Sequence, residues 1–516
     1  MVIKIVFLVV FFAVMIGVGI MSRRHATDVT GFVLGGRNVG PWLTAFAYGT
    51  SYFSAVIFIG YAGQFGWKFG VASTWIGLGN AFIGSLLAWA ILGRRTRIMT
   101  QHLKSATMPE FFGKRFNSSA LKVFASVIVF VFMIPYTASL YNGLSRLFQM
   151  AFNIDYVYCV IGMAVLTGIY VIIGGYMATA INDFIQGIIM LFGIIAVILA
   201  VLANHGGLSG ALVEMSKVPA DPGTTDLQGA FSSFLGPEPL FLLFVVILTS
   251  LGTWGLPQMV GKFYAIKTEK AINKGMVVST AFAVIVAGGC YFLGGFGRLY
   301  TPEMNGDKII FDSIVPNMLV GLPDVLIGIV VILVLSASMS TLSSLVLTSS
   351  STLTLDFIGQ FNKKMGEKTK LLIMRLLVVV FIAISSIIAI VQAKSTVTFI
   401  AQLMGISWGA MAGAFLAPYL YALYWKKVTK LAVWVNFIVG VGIMAIQMLC
   451  PQIMGNSIFF KSSIHAGVLA MLLGFIIVPV VSLITPKLDS GIVDPMFTCY
   501  EKEITVKVKH SLSDDD

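Results

Sequence analysis

The chain has 516 residues, of which 58% are hydrophobic and only 11% are charged. Apolar runs of about twenty residues, the length that crosses a hydrocarbon core of roughly 30 Å, recur along it. Its net charge of +12 does not indicate a nucleic-acid partner, because the basic residues are spread over loops beside the apolar runs. The composition predicts an integral membrane protein and excludes a nucleic-acid function.

The apolar runs predict an all-α integral membrane protein with about thirteen transmembrane helices, which we number span 1 to span 13. The predicted spans cover residues 3–21, 42–66, 73–93, 122–145, 154–175, 181–204, 238–261, 273–297, 320–350, 371–392, 396–424, 431–450 and 463–485. The gaps are mostly too short to fold alone, so we expect one polytopic domain over residues 1–486 and a polar tail over residues 487–516. Span 1 lacks a cleavage pattern and is expected to stay in the protein.

The basic loops predict the orientation. If the N-terminus lies outside, most of the 34 Lys and Arg residues fall in cytoplasmic loops, including the cluster Arg94, Arg95 and Arg97 after span 3. Such an asymmetry matches the positive-inside rule. We therefore expect a multi-pass protein of the cell membrane whose tail at residues 487–516 is cytoplasmic.

Span 2 is interrupted by small and polar residues. Its sequence TAFAYGTSYFSAVIFIGYAG, residues 44–63, places Gly49, Thr50, Ser51 and Ser54 where a spanning helix is usually most apolar. A break in a membrane helix survives only where protein or a water-filled cavity pairs the freed backbone groups. Residues 49–54 are therefore predicted to be unwound at a binding site, or else to form a seam of small residues between packed helices.

Span 7 contains a second interruption. The segment LTSLGTWGLPQ, residues 248–258, holds Gly252, Gly255 and Pro257 inside the span, five spans after the first interruption. Interrupted helices at corresponding positions of two five-helix units indicate a secondary transporter built from inverted repeats. This correspondence favours the binding site over the packing seam.

Span 9 carries a polar stripe. In VLSASMSTLSS, residues 334–344, Ala337, Ser340, Thr341 and Ser344 recur at the spacing of one helix face. Hydroxyls and free carbonyls suit a hard cation, although Ser and Thr in membrane helices also bond to their own backbone or to neighbouring helices.

Asp183 lies about one turn inside the start of span 6. A carboxylate within the membrane is costly and marks a functional site by default. We interpret its partner as a cation held together with Ser343 and Ser344. The alternative is an ordinary acidic residue in the first turn of the helix.

Four segments in order, LGGRNVGPWLTAFAYGTSYFSAVIFIG, IIGGYMATAINDFIQGIIMLFG, TWGLPQMVGKFYA and LSASMSTLSS, resemble the sodium:solute symporter family from about residue 30 to residue 430. The resemblance implies a leucine-transporter-like fold with alternating access. Spans 2–6 and 7–11 would be its inverted repeats, with spans 1, 12 and 13 at the periphery. It also implies solute uptake driven by inward sodium flow.

The resemblance further implies two sodium sites. The first would be formed by the carbonyls of Thr50, Phe53 and Ala337 and the hydroxyls of Ser340 and Thr341. A second, found in some members, would be formed by Asp183, Ser340, Ser343 and Ser344. Both sets match the residue types that the family uses.

The expected solute site lies among the interrupted spans and span 4. Its predicted lining is Tyr52, Ser54, Val56, Tyr136, Ser139, Thr249, Thr253 and Trp254. Members that carry proline typically have an aspartate and a tryptophan where this chain has Tyr52 and Thr249, which disfavours proline. Sialic acid carriers use an arginine in the middle of span 4, which this chain lacks. Pantothenate, monocarboxylates and amino-acid-like compounds remain as candidate solutes.

The sequence thus predicts sodium-coupled symport of a small organic solute, with the solute, Na⁺ and the lipid bilayer as partners and no obligate protein partner. The alternatives are proton-coupled symport and, outside that class, a channel or a solute sensor. An enzyme is not expected, because the five His residues form no pair with an acid or a nucleophile and no nucleotide-binding loop is present.

Overall fold

The structure is a computed structural model that describes residues 2–393, 400–450 and 460–501. It is 83% helical, which confirms the all-α class. The long helices are Val2–Ser22, Ser119–Phe152, Tyr156–Ala203, Asp324–Thr352, Glu367–Ala393, Ile400–Tyr424, Lys430–Leu449 and Ser463–Ile484. Short α, 3-10 and π segments run end to end through span 3, between Gly70 and His102, and through span 8, between Glu269 and Gly294.

The described residues contain ten helices long and apolar enough to cross a membrane, or eleven if Pro239–Gly255 and Pro257–Ala265 form one bent span. Large apolar side chains such as Phe192, which is 73% exposed, lie on the outside of the bundle. A multi-pass membrane protein follows from these helices. Every predicted span coincides with helix in the described residues, whereas residues 394–399 between spans 10 and 11 lie outside them. The number of crossings stays a prediction.

Spans 5 and 6 form the helix Tyr156–Ala203, which turns sharply at Gly175. Its 48 residues would extend about 70 Å if straight, twice the thickness of a bilayer core. Gly175 has φ +54°, and a Cβ there would lie 2.9 Å from the carbonyl oxygen of Phe32. Glycine at this position therefore allows the chain to reverse and places Asp183 near the start of the second half.

Spans 2 and 7 are both broken, as predicted. Span 2 consists of Pro41–Tyr52, an extended break at Phe53 and Ser54, and the helical segments Val56–Tyr61 and Ala62–Phe69. The prediction that residues 49–54 are all unwound is wrong, because residues 49–52 keep their helical conformation and only Phe53 and Ser54 leave it.

Span 7 consists of Pro239–Leu251, the 3-10 turn Gly252–Gly255 and the half-helix Pro257–Ala265, with a bend of 47°. Pro257 causes the break, because proline is tolerated in the first turn of a helix but not within one.

Span 9, the helix Asp324–Thr352, lies at the centre of the bundle. It packs against span 4, against both halves of Tyr156–Ala203 and against Pro41–Tyr52 of span 2. From Gly328 onwards most of its side chains are buried, including every Ser and Thr from Ser336 to Ser344. This packing places the polar stripe against the break in span 2.

One face of the bundle carries Arg37, Arg97 and Arg115, and we call it the basic face. The short helices Val29–Leu34, Met108–Arg115 and Ser490–Phe497 belong to it. Part of the predicted tail is folded there, because Lys426 pairs with Asp494 at 2.8 Å. The loops of the opposite face hold the helices Gly207–Ser216 and Ile314–Leu319 and the hairpin Met304–Asn305 with Lys308–Ile309.

Candidate functional site

The five groups predicted for the first sodium site converge beside the break in span 2. The Thr341 hydroxyl oxygen lies 3.4 Å from the carbonyl oxygen of Thr50, 3.3 Å from that of Phe53 and 3.2 Å from that of Ala337. The Ser340 hydroxyl oxygen lies 3.1 Å from the Thr50 carbonyl and 3.0 Å from the Ala337 carbonyl. All five residues are fully buried.

This cluster has more acceptors than protons. Thr341 and Ser340 can each donate one hydrogen bond, yet the carbonyl of Ser51 also approaches Thr341, at 3.5 Å. The carbonyls at the end of the helix Pro41–Tyr52 lack their usual helical partners because the helix ends there. Oxygens around a cation bound at about 2.3–2.6 Å would lie about 3.3–3.7 Å apart, close to the spacing seen here. The cluster therefore fits a hard cation of the size of Na⁺.

Asp183 has a partner that the sequence did not indicate. The Lys262 ammonium lies 3.6 Å from Oδ2 of Asp183 and donates a hydrogen bond of 2.9 Å to Oγ of Ser344. Ser344 in turn bonds the hydroxyl of Ser51 at 2.9 Å. The hydroxyl of Ser343 donates to the carbonyl of Ser340 at 2.9 Å. The residues predicted for the second sodium site are thus linked through buried polar groups to the first.

The predicted solute-site residues from spans 2 and 7 meet directly. The hydroxyl of Tyr52 donates a hydrogen bond to the carbonyl of Thr249. Thr253 donates to the carbonyl of Ser250 at 2.8 Å, and Trp254 donates through Nε1 to the carbonyl of Ile83 at 3.0 Å. These polar groups are therefore already used within the protein.

Two other predicted residues have polar atoms without a hydrogen-bond partner among the described residues. These atoms are the hydroxyls of Ser54 and Tyr136, and both are buried. Ser139, one turn along span 4, instead donates to the Tyr136 carbonyl at 2.6 Å. Val56 is fully buried just beyond the break and offers only apolar surface. Ser54 and Tyr136 are consequently the predicted residues best able to bind a polar solute.

Sequence reasoning missed several residues around this site. Trp408 of span 11 lies with its ring 5.9 Å from that of Tyr136 and 6.1 Å from that of Tyr52. Asn80 of span 3 accepts a hydrogen bond of 2.9 Å from Thr249. Their flanking sequences carry no interruption or charge that would have singled them out. Lys262, by contrast, was visible as a charge inside the quoted segment TWGLPQMVGKFYA.

A cavity leads inward from the basic face. Its walls include Thr107 and Met108 at the start of a basic-face helix, Gln258 and Lys262 of the half-helix Pro257–Ala265, and Ser344 and Thr348 of span 9. Both polar atoms of the Gln258 side chain lack partners among the described residues. The predicted solute-site residues Tyr52, Ser54 and Tyr136 are at most 3% exposed and do not line this cavity.

Comparison with known proteins assigns the family. Residues 32–440 match the family model described as the sodium:solute symporter family. The chain belongs to the sodium:solute symporter family. A sodium/proline symporter of Staphylococcus aureus strain JH9 is 29% identical over 500 residues, which cover 94% of this chain and 92% of the relative.

Solved structures show the fold of this symporter family member. The chain superposes on a sodium-coupled sialic acid symporter, in a substrate-bound outward-open state, with a TM-score of 0.73 at 17% identity, covering 94% of this chain and 98% of that one. It also matches the transporter Mhp1 in an inward-facing conformation with a TM-score of 0.50 at 15% identity, over 91% and 96% of the two chains. The leucine-transporter-like fold is confirmed, and sodium-coupled solute symport is the function class.

Proposed function

We propose that this symporter imports a small organic solute into the cell by alternating access and that the driving ion is Na⁺. The single observation that carries the proposal is the convergence of the Thr341 hydroxyl with the carbonyls of Thr50, Phe53 and Ala337 at the break in span 2. A cation bound there would hold span 9 against span 2. Its arrival and departure would then change the packing of the bundle.

The cavity supports an assignment of this conformation. If the basic face is cytoplasmic, as the positive-inside rule indicates, the cavity opens to the cytoplasm while the solute-site residues remain buried. We assign the structure to an inward-facing stage of the transport cycle. In this stage Gln258, with an unpartnered side chain on the cavity wall, would be an exit contact for the solute.

A carboxylate on the solute would be bound without a buried arginine. Ser54 immediately precedes the outer half of span 2, and its carbonyl accepts the amides of Ile57 and Phe58 at 3.0 Å. A helix N-terminus attracts negative charge, and the free Ser54 hydroxyl could donate to the same carboxylate. Tyr136 would bind a second polar group of the solute. We propose a monocarboxylate, pantothenate or an amino-acid-like compound.

A second sodium ion is proposed at Asp183 with Ser340, Ser343 and Ser344. The proposal rests on the rarity of a carboxylate inside a membrane bundle and on the Lys262 ammonium, which lies 3.6 Å from Asp183 Oδ2 and 2.9 Å from Ser344 Oγ and so places both side chains around one charge. Because the Lys262 ammonium lies so close to the same carboxylate, it affects the binding of this sodium ion.

The test is uptake into proteoliposomes that contain the purified protein. An inward sodium gradient should drive accumulation of one labelled solute from a panel of pantothenate, lactate, pyruvate, several amino acids including proline, and sialic acid. Potassium in place of sodium should abolish it. Accumulation driven equally well by a proton gradient without sodium would favour the proton-coupled alternative, and flux without accumulation would favour a channel.

A further inference from the structure

Lys262 occupies an unusual position for a lysine. It lies on the inner half of span 7, yet its ammonium is buried between spans 6 and 9, with the side chain only 3% exposed. The ammonium is 3.6 Å from Asp183 Oδ2, 2.9 Å from Ser344 Oγ and 5.4 Å from the centre of the Tyr176 ring. Two of these contacts, Asp183 and Ser344, are residues proposed to bind the second sodium ion.

The Asp183 carboxylate needs one cation. It is fully buried, and neither of its oxygens has a hydrogen-bond partner among the described residues. In the part of the chain that the structure describes, Lys262 is the one cationic side chain in ion-pair range of Asp183. A buried carboxylate without a counter-charge is strongly unfavourable, whereas two cations within a few ångströms of it would repel each other. Lys262 and Na⁺ therefore cannot both hold Asp183.

The lysine has a route away from the carboxylate. Lys262 also lines the cavity that opens at the basic face, beside Gly261 and Gln258 of the same half-helix. A lysine is a compact charge on a flexible four-carbon stem, so its ammonium can move toward the water of the cavity while the backbone stays in place. The ring of Tyr176, also on the cavity wall, offers its face to the displaced cation.

We propose that Lys262 is a tethered competitor of the second sodium ion, so that its ammonium and Na⁺ hold the Asp183 carboxylate in turn. The proposal rests on the proposed function, because it presupposes that sodium reaches Asp183. Sodium binding displaces the ammonium into the cavity. When the ion leaves, Lys262 returns to Asp183, neutralises the carboxylate and opposes rebinding from the cytoplasm.

The connection to the first site gives the exchange a further consequence. Ser344 accepts the hydrogen bond from Lys262 and also bonds the hydroxyl of Ser51, whose carbonyl approaches Thr341. Return of the ammonium therefore alters the hydrogen bonding of a residue that borders the first sodium site. Release of the two ions is expected to be coupled through Ser51 and Ser344.

The experiment measures thermal unfolding of the purified full-length protein while sodium chloride replaces choline chloride at constant ionic strength. Choline is a much larger cation than Na⁺, and a difference between the two salts therefore reports sodium binding to the folded form. The variants are Lys262→Met, which keeps the length but removes the charge, Lys262→Arg, which keeps the charge, and the double variant Asp183→Asn with Lys262→Met.

The expected result follows from removal of the competitor. In choline, Lys262→Met should unfold at a lower temperature than the wild type. Sodium should raise its unfolding temperature again. Half of this rise should occur at a sodium concentration at least tenfold below that needed by the wild type. Lys262→Arg should behave like the wild type. The double variant should lack the high-affinity response. A Lys262→Met protein whose sodium titration coincides with that of the wild type would overturn the proposal.

A second variant keeps the proposal testable if Lys262→Met does not fold. Lys262→Cys, in a background with the native cysteines replaced, can be treated with 2-aminoethyl methanethiosulfonate, which attaches a primary ammonium, or with methyl methanethiosulfonate, which attaches an uncharged group. Only the ammonium should restore the weaker sodium response. Equal effects of the two reagents would contradict the proposal. Absence of any sodium response in the wild type would instead contradict the proposed sodium-coupled function.

Discussion

The hydroxyl of Thr341 lies 3.3 Å from the carbonyl oxygen of Phe53, and this contact joins the central helix of the bundle to the break in span 2. Phe53 is extended there, with φ −100° and ψ 127°, so its carbonyl does not follow the helix direction. The contact brings a helix end and a polar stripe together at one point. The proposed first sodium site depends on this contact.

Thr341→Ala removes the hydroxyl that approaches four carbonyls while the carbonyls themselves remain. We expect the sodium concentration for half-maximal uptake to rise about tenfold, equivalent to about 1.4 kcal/mol, with little change in the amount of folded protein. The measurement is initial uptake rate against sodium concentration in proteoliposomes.

Ser338→Ala is the matched control for Thr341→Ala. Ser338 lies on the same buried helix, but its hydroxyl donates a hydrogen bond of 2.7 Å to the carbonyl of Val334 one turn earlier. Its loss should leave the sodium dependence unchanged. If both variants shift the sodium dependence equally, the effect belongs to the helix as a whole and the proposed ligand set is wrong.

Tyr136→Phe removes a buried hydroxyl that has no partner among the described residues. If the hydroxyl binds the solute, KM for the solute should rise about threefold to tenfold, the usual range for one hydrogen bond, at an unchanged sodium dependence. Thr137→Ala is the control, because the Thr137 hydroxyl donates to the carbonyl of Met133 on its own helix at 2.9 Å. An unchanged KM for Tyr136→Phe would remove Tyr136 from the solute site.

Thr348 and Ser349 are neighbours in sequence that face different surroundings. Thr348 lines the cavity, whereas Ser349 is fully buried with its hydroxyl 3.1 Å from the sulfur of Met133. In a background without native cysteines, Thr348→Cys should react with a charged, membrane-impermeant thiol reagent added from the cytoplasmic side. Ser349→Cys should be inert. Reaction of Thr348→Cys only from the outside would reverse the predicted orientation.

Arg115 fastens the helix Met108–Arg115 to the end of span 11. Its buried guanidinium donates to the carbonyls of Ala422 and Trp425, each at 3.1 Å, and to that of Lys426 at 3.4 Å. Burial lowers the pKa of the Arg115 guanidinium to about 10, so the group keeps its charge at neutral pH.

We expect Arg115→Met to destabilise the protein by about 3 kcal/mol, because it removes the charged donor of the buried Ala422 carbonyl and of two partly buried carbonyls. Thermal unfolding in detergent measures the change. The control is Lys114→Met, which removes a partly exposed ion pair with Glu110 and a hydrogen bond of 2.8 Å to the carbonyl of Lys104, and should cost about 1 kcal/mol or less. Equal unfolding temperatures for the two variants would show that Arg115 is not a structural anchor.

Much of the fold could be predicted because a membrane helix is a local property of the chain. A run of apolar residues must form internal hydrogen bonds wherever it enters the bilayer, so hydropathy alone predicted helix at each span. Proline and glycine act on the backbone at their own positions, and Pro257 therefore predicted the break in span 7. The break in span 2 was predicted too long, because small polar residues such as Gly49 and Ser51 permit an interruption without requiring one.

Which oxygen-bearing groups can form a cation site follows from the order of the residues, since the spacing of Ala337, Ser340 and Thr341 places them on one face of a helix wherever that helix lies. The groups that this face contacts depend on the fold. The approach of Thr341 to Phe53, the ring of Trp408 against Tyr136 and the pairing of Lys262 with Asp183 depend on how separate helices are rotated and packed against one another. Helical periodicity records which face of a span is polar or apolar, but it holds no information on which other span covers that face.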